Sequence, residues 1–221
     1  VLDKPNAVLG LPTGSSPLLT YQELVRLNHD GVIDFSQVTT YNLDEYMGLD
    51  GTHPQSYRRF MNENLFDQIN IKPENTHVPS GIGDGAANAR DYEAAINAAG
   101  GIDLHFMGVG RNGHIGFNEP DEYFSKGTHC VNLTESTIEA NKRFFASEDE
   151  VPRRAYSMGI HTIMTAKKVL VVASGEDKAW AIRESCFGPV TPKVPGSILQ
   201  LHNDAIVIAD AAALSLCGDF L

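Results

Sequence analysis

Three segments of this 221-residue chain hold residue types that could do chemistry. In Gly108-Val109-Gly110-Arg111-Asn112-Gly113-His114-Ile115-Gly116-Phe117-Asn118-Glu119-Pro120, four glycines surround one histidine, and a carboxylate follows five residues later. Such a backbone can bend closely around a ligand while an imidazole stays in reach of an acid. The bland alternative is a structural histidine in a tight turn, which is how the other seven histidines are read. In Tyr41-Asn42-Leu43-Asp44-Glu45-Tyr46-Met47-Gly48-Leu49, adjacent carboxylates could supply a general base at a ligand edge, or be two solvated charges. In Gly10-Leu11-Pro12-Thr13-Gly14-Ser15-Ser16-Pro17, small residues and hydroxyls ahead of a helix could cradle a phosphate, with Pro17 at the first helical position. A capped turn is the competing reading, and the run matches neither nucleotide-binding glycine pattern, GxxxxGK[ST] or GxGxxG.

These segments have to be positioned by the elements between them. Short β-branched or apolar runs alternate with stretches of helical periodicity, the pattern of βα units around a mostly parallel sheet. Strands are expected at Ala7–Leu11, Val38–Leu43, Ile102–Val109, Ala155–Gly159, Val169–Ala173 and Ala205–Ala209. Between the first two, Leu18, Leu19, Leu24, Val25 and Leu27 form a helical apolar face that Gly31 would end. Further helices are expected at Gln55–Phe66, Gly85–Ala99, Glu135–Phe145 and Asp177–Cys186. In open sheets of this kind ligands bind beyond the carboxyl ends of the strands, which is where all three segments fall. No repeat or linker divides the chain, so residues 1–221 read as a single α/β domain.

Composition excludes several classes. A formal net charge of -11 argues against a surface built to neutralise nucleic acid or anionic lipid. Any anion must be caught locally. The apolar runs are well below the roughly 18 residues of a membrane span, and no signal peptide is visible. Cys130, Cys186 and Cys217 are odd in number and far apart, which suggests inert thiols in a reducing cytoplasm rather than disulfides or zinc. HExxH and GxSxG are absent, so zinc hydrolysis and Ser-His-Asp chemistry have little support.

Taken in order, GLPTGSSP, NLDEYMGL with His53–Tyr57 (HPQSY) after it, and GVGRNGHIGFNEP resemble the glucosamine-6-phosphate deaminase family. Ala140–Phe145, Ser157–Ile160 and Ile163–Lys168 are similar to further family segments. The resemblance implies a Rossmann-like three-layer α/β/α fold. It implies a cytoplasmic enzyme, a hydrolase acting on an amino sugar phosphate, that turns glucosamine 6-phosphate and water into fructose 6-phosphate and ammonia without a redox cofactor or a catalytic metal. Asp44 would move the proton between C2 and C1; His114, supported by Glu119 and oriented by Asn112, would open the ring. Arg143 and Lys178 would hold the 6-phosphate with the Gly14, Ser15 and Ser16 backbone. The implied partner is a small sugar phosphate, with no nucleic acid, no membrane and a possible homo-oligomer.

Three departures from the family pattern stand out. Asn112 replaces an Asp found in many members, which predicts an altered pH profile. The strand and helix that usually precede the GLPTG loop are missing or shortened. Thr128-His129-Cys130-Val131-Asn132 lacks the basic residues of allosterically activated members, which favours a simple enzyme. Two rival readings are a 6-phosphogluconolactonase-like hydrolase and a non-catalytic sugar-phosphate-sensing domain; the persistence of Asp44, His114 and Glu119 and the lack of a basic DNA-binding segment weigh against the second.

Overall fold

The apolar runs become strands and the amphipathic stretches become helices in the computed structural model, which describes residues 1–220. In chain order the strands are β1 (Val8–Leu11), β2 (Thr39–Asn42), β3 (Asp44–Tyr46), β4 (Thr76–His77), β5 (Leu104–Met107), β6 (His129–Asn132), β7 (Arg154–Ser157), β8 (Lys168–Ala173) and β9 (Ala205–Ala209). The α-helices are α1 (Leu18–His29), α2 (Tyr57–Asn64), α3 (Gly85–Ala98), α4 (Glu135–Asn141), α5 (Ile160–Met164) and α6 (Ala179–Phe187).

Strands β4, β2, β1, β5, β8 and β9 lie side by side in that order, every neighbouring pair parallel. The chain starts in the middle, builds outward one way, and then returns to build the other way. The strand order therefore reverses between β1 and β5, the switch point at which α/β sheets bind ligands. Side chains alternate between the two faces of each strand. Val8, Met107, Val169 and Val171 meet Tyr92 and Ile96 of α3 and Ile160 and Ile163 of α5. Leu9, Leu11 and Phe106 meet Tyr21 of α1 and Met61 of α2. That is the expected three-layer α/β/α arrangement. At the amino ends of the strands, Asp103 accepts from Val8 N–H at 2.8 Å and from Lys4 and Lys167 at 2.6 and 2.7 Å, tying β1 to β5.

One expected strand belongs elsewhere. The Ala155–Gly159 run is β7, the centre of a separate antiparallel sheet in the order β3-β7-β6. The reason is local: β3 follows β2 after the single residue Leu43, and its Asp44 pairs opposite Ser157. Helix ends also shift. Ser56 caps α2 by accepting from Arg59 N–H at 3.1 Å, so that helix starts later than Gln55. The expected Glu135–Phe145 helix tightens into a 3-10 turn at Lys142–Phe144, and a 3-10 turn at Glu176–Lys178 precedes α6. Pro17 stands one place before the helix, as the N-cap of α1. Among the described residues, no helix is long and apolar enough to cross a membrane, and all three cysteines are free.

Candidate active site

Four loops leave the carboxyl ends of β1, β2, β5 and β8 and surround a cleft of about 700 Å³ at the switch point. The order of strands, rather than the order of residues, puts these loops face to face.

Asp44 comes first because the fold bends at it. Leu43 N–H donates to Leu11 O at 3.2 Å, and Leu43 O accepts from Met158 N–H at 2.7 Å, so this residue passes the chain from the parallel sheet to the antiparallel one. The next side chain, Asp44, lines the cleft at 8% exposure, and its Oδ1 has no protein partner. Burial, with the charge of Glu45 beside it, pushes this carboxyl up to about 8. Alternation along β3 turns Glu45 away from Asp44. Its Oε1 accepts from Tyr46 and Tyr57 N–H at 2.8 and 2.9 Å and its Oε2 from Arg58 N–H at 3.0 Å, which clasps the start of α2. Burial raises Glu45 to about 7, with those donors acting against it. The two adjacent carboxylates thus have different tasks, one facing the cleft and one holding the wall that carries Tyr57.

His114 lies 3.4 Å through Nδ1 from Glu119 Oε2, an ion-pair distance outside hydrogen-bond angles. Glu119 is buried behind it at 8% exposure. Burial alone would raise the Glu119 carboxyl, but the His114 imidazole beside it, together with Thr137 and Asn112, holds it at about 2. Asn112 donates through Nδ2 to Glu119 Oε2 at 2.8 Å and accepts His114 N–H on Oδ1 at 3.2 Å. It therefore orients the histidine through its main chain and through Glu119, not by touching the ring. The glycines have particular reasons: the His114 ring lies on the α-carbon of Gly110, where a methyl group would overlap it. Asn118 and Ser157 close the loop from below, Phe117 N–H donating to Ser157 Oγ at 3.0 Å.

The opposite end of the cleft is cationic. The Thr13–Ser16 loop turns at Gly14, whose φ of +87° favours glycine, into the start of α1, which carries no side-chain cap, in contrast to α2, α3 and α4. Tyr21 of α1 reaches back to Pro12 O at 2.5 Å and fixes the loop to its helix. Arg143 enters from the 3-10 turn after α4, its guanidinium 4.7 Å over the Phe144 ring. Lys178 ends the 3-10 turn before α6. Burial holds its ammonium below the usual lysine range; Asp177 opposes this, and the nearby charges of Arg111 and Arg143 add to it.

Of the nine residues expected in the site, Gly14, Ser15, Ser16, Asp44, Asn112, His114, Arg143 and Lys178 line this one cleft, and Glu119 stands behind His114. Among the lining residues for which the sequence suggests no role are Tyr57, Arg111 and Asp177. Tyr57 stacks on Phe117 at 6.0 Å and forms a wall; its place one residue after the α2 cap is visible only once Glu45 is seen there. Arg111 lies within the glycine-rich segment, and only the pairing of β5 with β8 shows that it meets Asp177.

The family described as glucosamine-6-phosphate isomerases/6-phosphogluconolactonase matches residues 2–208. The glucosamine-6-phosphate deaminase of Clostridioides difficile (strain 630) is 57% identical over 213 residues, covering 96% of this chain and 86% of the relative. That of Lachnoclostridium phytofermentans is 58% identical over 209 residues, covering 94% and 89%. A solved monomeric glucosamine-6-phosphate deaminase superposes with a TM-score of 0.94 at 45% identity, covering 97% of this chain and 89% of that one. The 6-phosphogluconolactonase of Thermotoga maritima shares the fold at a TM-score of 0.72, with 18% identity over 94% of this chain and 87% of that one.

Proposed function

We infer the reaction from the premise that the chain belongs to the family of glucosamine-6-phosphate isomerases and 6-phosphogluconolactonases: it converts glucosamine 6-phosphate and water to fructose 6-phosphate and ammonia. The relatives at 52–58% identity are deaminases, whereas the lactonases resemble it in fold alone. Because water is consumed and a carbon–nitrogen bond is cleaved, we class the enzyme as a hydrolase.

The observation that supports this reading is the opposition, across one cleft, of a buried carboxyl raised to about 8 and a cationic end. His114 takes the hydroxyl proton at C1 and returns it to the ring oxygen, which opens the pyranose to the aldehyde. Asp44 then removes the proton on C2, forming an enolamine, and delivers it to C1. The resulting ketimine adds water and loses ammonia. A carbon acid is weak, so a carboxylate with a raised proton affinity is the better base, and burial supplies that. Glu119, held ionised 3.4 Å behind Nδ1, fixes the His114 ring in place while it passes the proton. Arg143, Lys178 and the backbone of Gly14–Ser16 hold the 6-phosphate and thereby set C1 and C2 against Asp44.

The experiment is a coupled assay of ammonia and fructose 6-phosphate from glucosamine 6-phosphate, run beside 6-phosphogluconolactone hydrolysis. Lactone hydrolysis without ammonia release would reverse the assignment. We further propose a cytoplasmic enzyme that responds hyperbolically to substrate and ignores N-acetylglucosamine 6-phosphate, since β6 carries His129 and Val131 instead of cations. A monomer, as the solved relative is described, is the oligomeric state we carry over; light scattering tests it.

A further inference from the structure

Arg111 and Asp177 are unexplained by the reaction scheme. They sit on two different loops, after β5 and after β8, and both line the cleft beside Arg143 and Lys178. Arg111 Nε donates to Asp177 Oδ2 at 2.9 Å, with the two side chains 60% and 44% exposed. An ion pair in that setting contributes little to stability, because water screens it and two long side chains must be ordered. Its place is more telling than its strength. It spans the mouth next to Lys178, whose ammonium senses the charge of Arg111, Arg143 and Asp177 alike.

The charges balance in a particular way. Arg111, Arg143 and Lys178 are three cations, and Asp177 is the acid paired among them; Glu139, also on the lining, is already paired with Lys142 at 2.6 Å. The remainder is two positive charges, which matches a phosphate monoester near its dianionic form. Without Arg111 the remainder would be one.

We propose that Arg111 is a third phosphate-binding cation of the cleft, and that Asp177 holds its place as an internal stand-in for the phosphate until substrate displaces it. This rests on the reading of the Arg143–Lys178 end as the 6-phosphate site. The guanidinium uses Nε toward Asp177, and its planar fork is suited to turn onto phosphate oxygens. Because the exposed pair is worth little, exchanging a carboxylate for a dianion is downhill.

The test compares opposite signs. Arg111→Ala should raise KM for glucosamine 6-phosphate about five- to tenfold, the size of a partly exposed charge-assisted contact, with kcat changed less than about twofold. The inhibition constant of inorganic phosphate should rise by the same factor, and Arg111→Lys should recover part of the loss. Asp177→Asn removes the competitor, so it should lower both constants about two- to threefold, the effect of one screened charge. If the pair served only to brace the loops, both substitutions would harm the enzyme in the same direction, and that result overturns the proposal. Unchanged constants in Arg111→Ala, with Lys178→Ala raising both, would also overturn it while leaving the phosphate site in place. If Arg143→Ala and Lys178→Ala are silent too, the phosphate site itself is wrongly placed and the proposal falls with it.

Discussion

At one end of the cleft Asp44, Glu45 and Glu119 are 8%, 1% and 8% exposed, and Glu45 and Glu119 are held by backbone or amide donors at 2.8 to 3.0 Å. At the other end Arg111 and Asp177 expose 60% and 44% of their side chains. The first end is poorly solvated, so it shifts proton affinities strongly; at the second, Lys178 is partly buried but the Arg111–Asp177 pair beside it is wet and adjustable, so it can attract and orient an anion. Chemistry needs a fixed distance to a reacting carbon, whereas a phosphate needs charge and a few donors. The difference predicts that substitutions at the buried end lower turnover and that substitutions at the cationic end weaken binding.

The largest effect should come from Asp44→Asn, which keeps the shape and removes the proposed base. Turnover should fall by roughly 10²–10⁴ with KM nearly unchanged. In heavy water the unaltered enzyme should place deuterium at C1 of fructose 6-phosphate, because a proton resting on Asp44 can exchange. Near-normal turnover of the folded variant would require another base and erase the contrast between the two ends.

Gly110→Ala should come next. Its methyl group would displace the His114 ring, and a misplacement on the order of 1 Å costs about 10²-fold in rate. Near-ultraviolet circular dichroism should stay native-like, since the site of change is a loop. If KM rises instead and kcat holds, His114 belongs to the binding end.

Lys178→Ala should raise KM by about tenfold or more and leave kcat within a few fold, as expected for loss of one charge-assisted contact. Unphosphorylated glucosamine should be turned over poorly by both forms. Equal turnover of glucosamine and its 6-phosphate would remove the cationic end from substrate binding.

The smallest effect sharpens the comparison through pH. With its carboxyl raised to about 8, Asp44 must lose a proton to act, so kcat/KM should climb as pH approaches 8 from below. Stability has the opposite sign. A raised carboxyl binds its proton more tightly folded than unfolded, so its contribution is present below the ordinary carboxylate range and is lost as pH rises through about 8. Asp44→Asn should therefore melt higher than the unaltered protein at pH 9, by a few degrees, and the gap should close toward pH 5. No gap at pH 9 would mean that Asp44 is better solvated than its surroundings indicate.

Much of this was legible in the chain itself. The glycine-rich run around His114, the Asp44 segment and the Gly14–Ser16 loop each follow a strand whose β-branched or apolar run predicts it, and five of the six expected strands lie in the six-stranded parallel sheet, with β4 added at its edge. Less legible were β3, β4 and β6, whose short polar stretches carry no alternating apolar signal, the short helix α5, and the ends of α2, α4 and α6. Arg143 and Lys178 followed from family resemblance alone, because a cation near a loop looks the same whether or not a cleft faces it.

What the sequence determined by itself was local: which runs are apolar enough to be strands, where glycines permit close turns, and that a histidine and an acid are neighbours. Tertiary structure alone decided what those neighbours do. Asp44 and Glu45 are adjacent and chemically alike, yet alternation in β3 gives the cleft to one and the start of α2 to the other. Arg111 and Asp177 are 66 residues apart and meet because β5 and β8 pair in parallel, bringing the loops after them to the same edge of the sheet. Strand order and desolvation are properties of the folded chain, and no spacing along the chain encodes them directly.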